Sequence, residues 1–115
     1  MENKLYELTN PQKSIWYTEE YYKGTPINNI CCSVIIYEKV DIELLKKALF
    51  ILIQTNDSFR IRLSNKADVP MQYISDFAPF EIEVSSAKDE KELKSIEQKF
   101  VKYNFNLYKN YFLGW

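Results

Sequence analysis

Apolar and polar residues recur along this chain with two periods, and the periods divide it into helices and strands. Thr9-Asn10-Pro11-Gln12 opens the first helical stretch. Either Asn10 caps it with Pro11 at the first helical position, or Thr9 caps it with Gln12 closing a capping box. The helix is expected from Pro11 to about Tyr22, with Ile15, Trp16 and Tyr22 on or near an inward stripe, before Gly24-Thr25-Pro26. From Asn29 to Tyr37 the period becomes two. Ile30, Cys32, Val34 and Ile36 alternate with Cys31, Ser33, Ile35 and Tyr37, and since both sets are largely apolar the pattern predicts a strand covered on both faces.

Asp41 is a good cap for a second helix, Ile42 to about Gln54. Its stripe of Ile42, Leu45, Leu49 and Leu52, flanked by Leu44, Ala48 and Ile51, is wide enough to be buried against a sheet. Phe59-Arg60-Ile61-Arg62-Leu63 alternates strictly and predicts a strand with one basic face. Short strands follow at Met71–Ile74 and Phe80–Val84, and Ser85 or Ser86 leads into a charged helix from about Asp89 to Tyr103. Leu93, Ile96 and Phe100 form its apolar stripe. Tyr111-Phe112-Leu113-Gly114-Trp115 reads as the beginning of a further strand. Strands interspersed with helices, on a sheet apolar on both faces, predict α+β or α/β layers.

The chain has 115 residues, which bounds it to one domain, and with 46% apolar and 16% aromatic residues it can build a core. The formal net charge of −1 gives no basic field for nucleic acid. No window is apolar for the length of a membrane span and no signal peptide opens the chain, so the expectation is a cytoplasmic setting without membrane contact. There is no histidine. That removes the usual general base near neutral pH and the commonest metal ligand, so no Ser-His-Asp triad, Cys-His pair or His-rich metal site can be written.

Cys31 and Cys32 are adjacent and point to opposite faces of the expected strand, so they do not bridge one another and are expected to be small buried hydrophobes. The two glycines, Gly24 and Gly114, are isolated, which excludes a P-loop and a dinucleotide-binding fingerprint. Glu19-Glu20 and Glu81/Glu83 read as solvated faces, and Lys88 to Lys102 as a mixed-charge helix surface. Trp16, Tyr17, Tyr21 and Tyr22, at helical spacing and without a basic groove, read as core packing. Arg60 and Arg62 lie two apart on one strand face. They are ordinary solvated cations if that face is exposed; if it is interior, at least one needs a carboxylate, because a buried unpaired charge costs several kcal/mol.

Two stretches at matching separation carry a resemblance. Leu8-Thr9-Asn10-Pro11-Gln12-Lys13-Ser14-Ile15-Trp16 resembles the first motif of the condensation domains of nonribosomal peptide synthetases. Gln12, Ile15 and Trp16 match it, Thr9 stands for its Ser, and Pro11 and Ser14 depart from its Ala and Arg. Further on, Asn56-Asp57-Ser58-Phe59-Arg60-Ile61-Arg62-Leu63 resembles the second motif, His-Glu-x-Leu-Arg-Thr-x-Phe. Arg60 falls on its arginine and Asp57 on its Glu, while Asn56 replaces the His and Ile61 the Thr. Tyr22 to Ile30 resembles the family's turn into its first long strand, and Tyr103-Asn104-Phe105-Asn106-Leu107 its Pro-Phe-Asp-Leu segment.

The resemblance implies an α+β sandwich, part of a chloramphenicol-acetyltransferase-like subdomain, with residues 1–115 forming the opening portion of a condensation domain. In that family the His-His-x-x-x-Asp-Gly signature lies beyond the Phe-Asp-Leu segment, so no catalytic residue and no metal ligand is expected within this chain. The reaction implied is attack of an amine on a phosphopantetheine thioester to form an amide. The 4'-phosphopantetheine is borne by partner carrier proteins, which together with the rest of the synthetase are the expected partners. Arg60 supports the site by pairing with the Asp of the signature, Asp57 stands beside it, and Gln12 and Trp16 are structural residues of the first helix. Without that signature, Arg60 is expected to reach solvent or to borrow Asp57, making Arg60→Ala nearly neutral or mildly stabilising in this chain. Two alternatives remain: a related thioester-dependent acyltransferase, and a free-standing non-catalytic interaction module. An open apolar edge also implies self-association.

Overall fold

Thr9, rather than Asn10, caps the first helix, α1 (Asn10–Tyr21). In this computed structural model, which describes residues 3–108, its Oγ1 accepts the Gln12 N–H at 3.4 Å and its own N–H donates to Gln12 Oε1 at 2.9 Å. Pro11 sits in the first turn, where a missing N–H leaves nothing unpaired. The chain leaves α1 through Gly24, whose φ of 84° falls where a side chain would be strained. α2 (Ile42–Thr55) begins at Asp41, which accepts the Leu44 N–H at 3.1 Å. α3 (Glu90–Val101) is capped by Asp89, neither by Ser85 nor by Ser86, and Glu92 reaches back to the Lys88 N–H at 2.8 Å. Glu90 and Glu92 place negative charge on the positive end of that helix dipole.

Among the described residues, three short strands form one antiparallel sheet in the order β1-β3-β2: β1 (Tyr6–Glu7), β2 (Ile61–Ser64) and β3 (Met71–Ile74). Tyr6 lies opposite Gln72, and Ile61 through Ser64 run against Ile74 back to Met71. The fold is α+β, as the sequence predicts. The dry part is small: among the described residues Leu8, Ile53 and Leu63 are the buried apolar side chains, with Leu63 only 1% exposed. The centre is tied by amides. Gln12 Nε2 donates to Gln72 Oε1 at 2.8 Å, Gln72 Nε2 returns a bond to Gln12 Oε1 at 3.0 Å, and Gln72 Nε2 also donates to the Glu7 carbonyl at 2.9 Å. Thus Gln12, which closes the capping box of α1, is bonded to the middle strand and, through it, to β1.

Several expectations are corrected. Residues 29–37 form no strand, because a strand needs a neighbour for its backbone groups and none of the described residues runs alongside as a ladder partner. The segment is tethered to α3 instead. Asn29 Nδ2 donates to the Val101 and Tyr103 carbonyls at 3.0 and 2.6 Å, and Ser33 Oγ to Glu97 Oε1 at 3.2 Å. Cys31 and Cys32 are exposed rather than buried for the same reason. Phe80–Val84 is not a strand either; Phe77 and Phe80 dock edge-on against Phe50 of α2, with ring centres 5.7 and 5.3 Å away. The expected strand over Phe59–Leu63 starts at Ile61, since Asp57–Arg60 is a 3-10 turn. Most of the α2 stripe is exposed, Ile53 being the buried member of that helix. Leu93 and Phe100 of α3 are exposed, as are Tyr17, Tyr21 and Tyr22, which are not core residues. Tyr111–Trp115 lies outside the described residues.

The local pattern therefore builds the helices, but much of their apolar surface stays open. A folded chain of 13.7 kDa exposes roughly 6,600 Å2 by the usual scaling with mass, whereas this one exposes 9575 Å2. Its radius of gyration is 16.5 Å, against about 13 Å for a compact chain of this length.

Gln12→Ala removes the capping-box acceptor and both bonds to Gln72, and is expected to lower stability by about 1–2 kcal/mol. Lys13→Ala, on the exposed side of the same turn, is expected to change it by less than about 0.5 kcal/mol. Urea unfolding followed by far-UV circular dichroism checks both; equal losses for the two variants would show that the amide pair contributes nothing.

Candidate functional site

The end of α2 is where charge and backbone converge. Its last carbonyls have no partner within the helix and carry the negative end of the helix dipole. Thr55 Oγ1 donates to Ile51 O at 2.7 Å and Asn56 Nδ2 to Leu52 O at 2.8 Å. The Ile53 carbonyl is taken by Arg60, whose Nε donates to it at 3.2 Å. The 3-10 turn Asp57–Arg60, begun by a bond from the Phe59 N–H to Asn56 O at 3.2 Å, swings the arginine back to reach it.

Arg60 is then fixed from two further sides. Its Nη1 donates to the Ser75 carbonyl at 3.0 Å and its Nη2 to Asp57 Oδ1 in an ion pair. Ser75 answers with both its backbone N–H, at 2.8 Å, and its Oγ, at 3.0 Å, on the Arg60 carbonyl. The Arg60 side chain is 13% exposed and Asp57 66%. Three of the five guanidinium N–H groups are used in these bonds, so the group is immobilised with donor capacity to spare. This changes the expectation for Arg60. It neither reaches solvent nor depends on Asp57 alone, because two carbonyls hold it, one in α2 and one at the residue after β3. Near-neutrality of Arg60→Ala does not follow from such an environment.

Arg62, unlike Arg60, belongs to the strand itself. It lies in β2 opposite Tyr73, is 4% exposed, and donates from Nη1 to the Ile61 carbonyl at 2.8 Å. Gln12 is at the α1–sheet junction described above. Trp16, one turn on, is half-buried, with its Nε1–H donating to Tyr108 Oη at 3.4 Å and its ring edge-on to Tyr17. The Leu63 N–H donates to Leu107 O at 3.1 Å, which lays the Phe105-Asn106-Leu107 stretch against β2, the strand that follows Arg60. The structure thus brings Asp57 and Arg60 together, and sets Gln12 and Trp16 on α1 toward different partners. Among the described residues no group of His, Cys, Asp and Glu is placed to hold a metal ion.

Sequence reasoning missed Ser75 and Gln72. Ser75 gives no signal, since its contribution is largely backbone. Gln72 gives a faint one, as a polar residue between Met71 and Tyr73 in an otherwise apolar strand.

The family described as Condensation domain matches residues 2–113. Surfactin synthase subunit 1 of Bacillus subtilis (strain 168) is 34% identical over 102 residues, an alignment covering 85% of this chain and 3% of that relative. No solved structure matches. The chain belongs to the condensation-domain family.

Arg60→Ala leaves the Ile53 and Ser75 carbonyls without their donors and is expected to destabilise the chain by about 2 kcal/mol, within the range for buried acceptors left unpaired. Arg60→Lys, a point charge without the planar fork, is expected to recover only part of that. Thermal unfolding checks the series; an unchanged midpoint in Arg60→Ala would show that the three bonds are not formed.

Proposed function

We propose that this chain forms the opening part of a condensation domain that joins carrier-bound aminoacyl or peptidyl thioesters by amide-bond formation, and that alone it is not a catalyst. The observation that carries this reading is the setting of Arg60. A guanidinium that fixes a neighbouring loop must itself be rigid and keep donors in reserve, and Arg60 is held by α2, by the residue after β3 and by Asp57 with N–H groups left over. Its proposed partner is the aspartate of the family's signature, which follows the Phe-Asp-Leu segment. The corresponding stretch here, Tyr103 to Leu107, ends beside β2 through the Leu63–Leu107 bond, and this supports placing the signature near Arg60.

In this reading Asp57 orients the arginine, while Gln12 and Trp16 hold α1 to the sheet and to Tyr108. None of the four touches substrate. The amine nucleophile and the thioester carbonyl are brought by carrier proteins on their 4'-phosphopantetheine arms, which are substrate rather than a resident group, and the setting is cytoplasmic. A histidine is the expected proton-handling residue of such a site, and a positioned general base contributes about 10²–10⁴-fold; this chain has none. Its exposed apolar surface favours a second property alongside the first, self-association of the chain.

Incubation of the chain with loaded donor and acceptor carrier proteins is expected to give no condensed product above background, as read by mass spectrometry of the acceptor arm. Sustained turnover would place the chemistry in residues assigned here to structure and would sink the reading.

A further inference from the structure

Two of the stretches that carry the resemblance, the turn from Tyr22 to Ile30 and the segment from Tyr103 to Leu107, are joined by one side chain. Asn29 Nδ2 donates to the Val101 carbonyl at 3.0 Å and to the Tyr103 carbonyl at 2.6 Å, so both of its amide N–H groups are used. Val101 is the last residue of α3, where carbonyls have no partner within the helix. Asn29 therefore closes the end of α3 from 72 positions away, at the point where the chain stops being helical and turns toward Phe105. Its own backbone is fixed beforehand. The Asn29 N–H donates to Pro26 O at 3.0 Å and the Thr25 N–H to Tyr22 O at 3.1 Å, while Asn28 Nδ2 reaches Glu19 Oε1 on α1 at 3.0 Å. Further along, the exit of α3 is caught twice more, by the Leu63 N–H on Leu107 O and by the Trp16 Nε1–H on Tyr108 Oη. Asn29 comes first along the chain and sets the direction in which the segment leaves the helix.

We propose that Asn29 is a positioning residue of the condensation site: it holds the exit of α3 so that Tyr103–Leu107 runs to β2 and directs the signature that follows in the family toward Arg60. This role rests on the function proposed above, and Asn29 acts through the segment rather than on substrate. The chemistry is specific to an amide. Asp has the same shape but would set a carboxylate against two carbonyl oxygens, and Ala would leave both oxygens without a side-chain donor. Asn29 is half-buried and its two bonds lie at the surface, so water can replace the lost donors. What its removal costs is the direction of the segment, with little cost to the fold.

Amide hydrogen exchange followed by NMR separates a positioning role from a merely structural one. The Leu63 amide, bonded to Leu107, reports the segment, and the Ser75 amide, bonded to the Arg60 carbonyl, reports the sheet. Both are expected to be protected in the unmodified chain. Asn29→Asp is expected to speed exchange at Leu63 by at least about fivefold, the effect of losing one hydrogen bond, with Ser75 unchanged. The Trp16 indole N–H is expected to follow Leu63, and the thermal midpoint to move by less than about 5 °C. Asn29→Gln, which keeps both donors on a longer arm, is expected to recover part of the protection. Ser33→Ala removes a different tether to α3, the bond to Glu97, and is expected to leave Leu63 unchanged. Equal acceleration at Leu63 and Ser75 would make Asn29 a contributor to overall stability and overturns the assignment. So does unchanged exchange at Leu63 in Asn29→Asp, or a Leu63 amide that is unprotected in the unmodified chain. Each of these leaves the proposed function standing, which the carrier-protein assay decides separately. Should Asn29→Asp lose its helical circular dichroism, Asn29→Ala, which adds no charge, carries the same comparison with the same outcomes.

Discussion

The reciprocal amide pair between Gln12 and Gln72 is the interaction on which the arrangement of this chain depends. Each amide has one acceptor oxygen and one donor nitrogen, and each uses both on the other, while Gln12 Oε1 and Gln72 Nε2 make further bonds besides. Gln12 Oε1 accepts from the Thr9 backbone, from Thr9 Oγ1 at 3.1 Å and from Gln72, so the atom that closes the N-terminal capping box also docks the helix onto the sheet. Gln72 passes the connection to the Glu7 carbonyl and, by strand pairing, to Tyr6 and Leu63. With so few apolar side chains buried, directional bonds rather than packed volume set the geometry of α1, β1 and β3.

Arg60 performs the corresponding task for α2. Hydrophobic packing alone would leave the helix loosely placed, since Ile53 is its one buried residue among those described. A planar cation bonded to the last-turn carbonyl of Ile53 and to the carbonyl of Ser75 fixes the helix end against the end of the sheet. The site-supporting role proposed for Arg60 and this structural role are compatible because the guanidinium has five donors and the two carbonyls and Asp57 take three.

The chain's open surface follows from what a strand is. Helices satisfy their backbone within themselves, so capping residues such as Thr9, Asp41 and Asp89 suffice to start them wherever they occur. A strand has no internal partner, and residues 29–37, though better patterned than β1 or β3, stay outside the sheet because no ladder neighbour lies beside them among the described residues. Pattern reports what a segment is suited to; the ladder depends on what else is present.

The sequence by itself determined the helices, the position of β3, the α+β class and the family, because caps, periodicity and motif spacing are local and each is written within a short window. It carried the resemblance that placed Gln12, Trp16, Asp57 and Arg60 in their motifs. Only the tertiary structure decided that Gln12 is bonded to Gln72, sixty positions away, that Arg60 is held chiefly by carbonyls, and that β1 exists as a two-residue partner of β3. It also decided that Cys31, Cys32 and most of the α2 stripe face outward. These are matters of long-range pairing, and burial of a patterned face depends on whether a second surface arrives to cover it, which hydrophobicity along the chain does not encode.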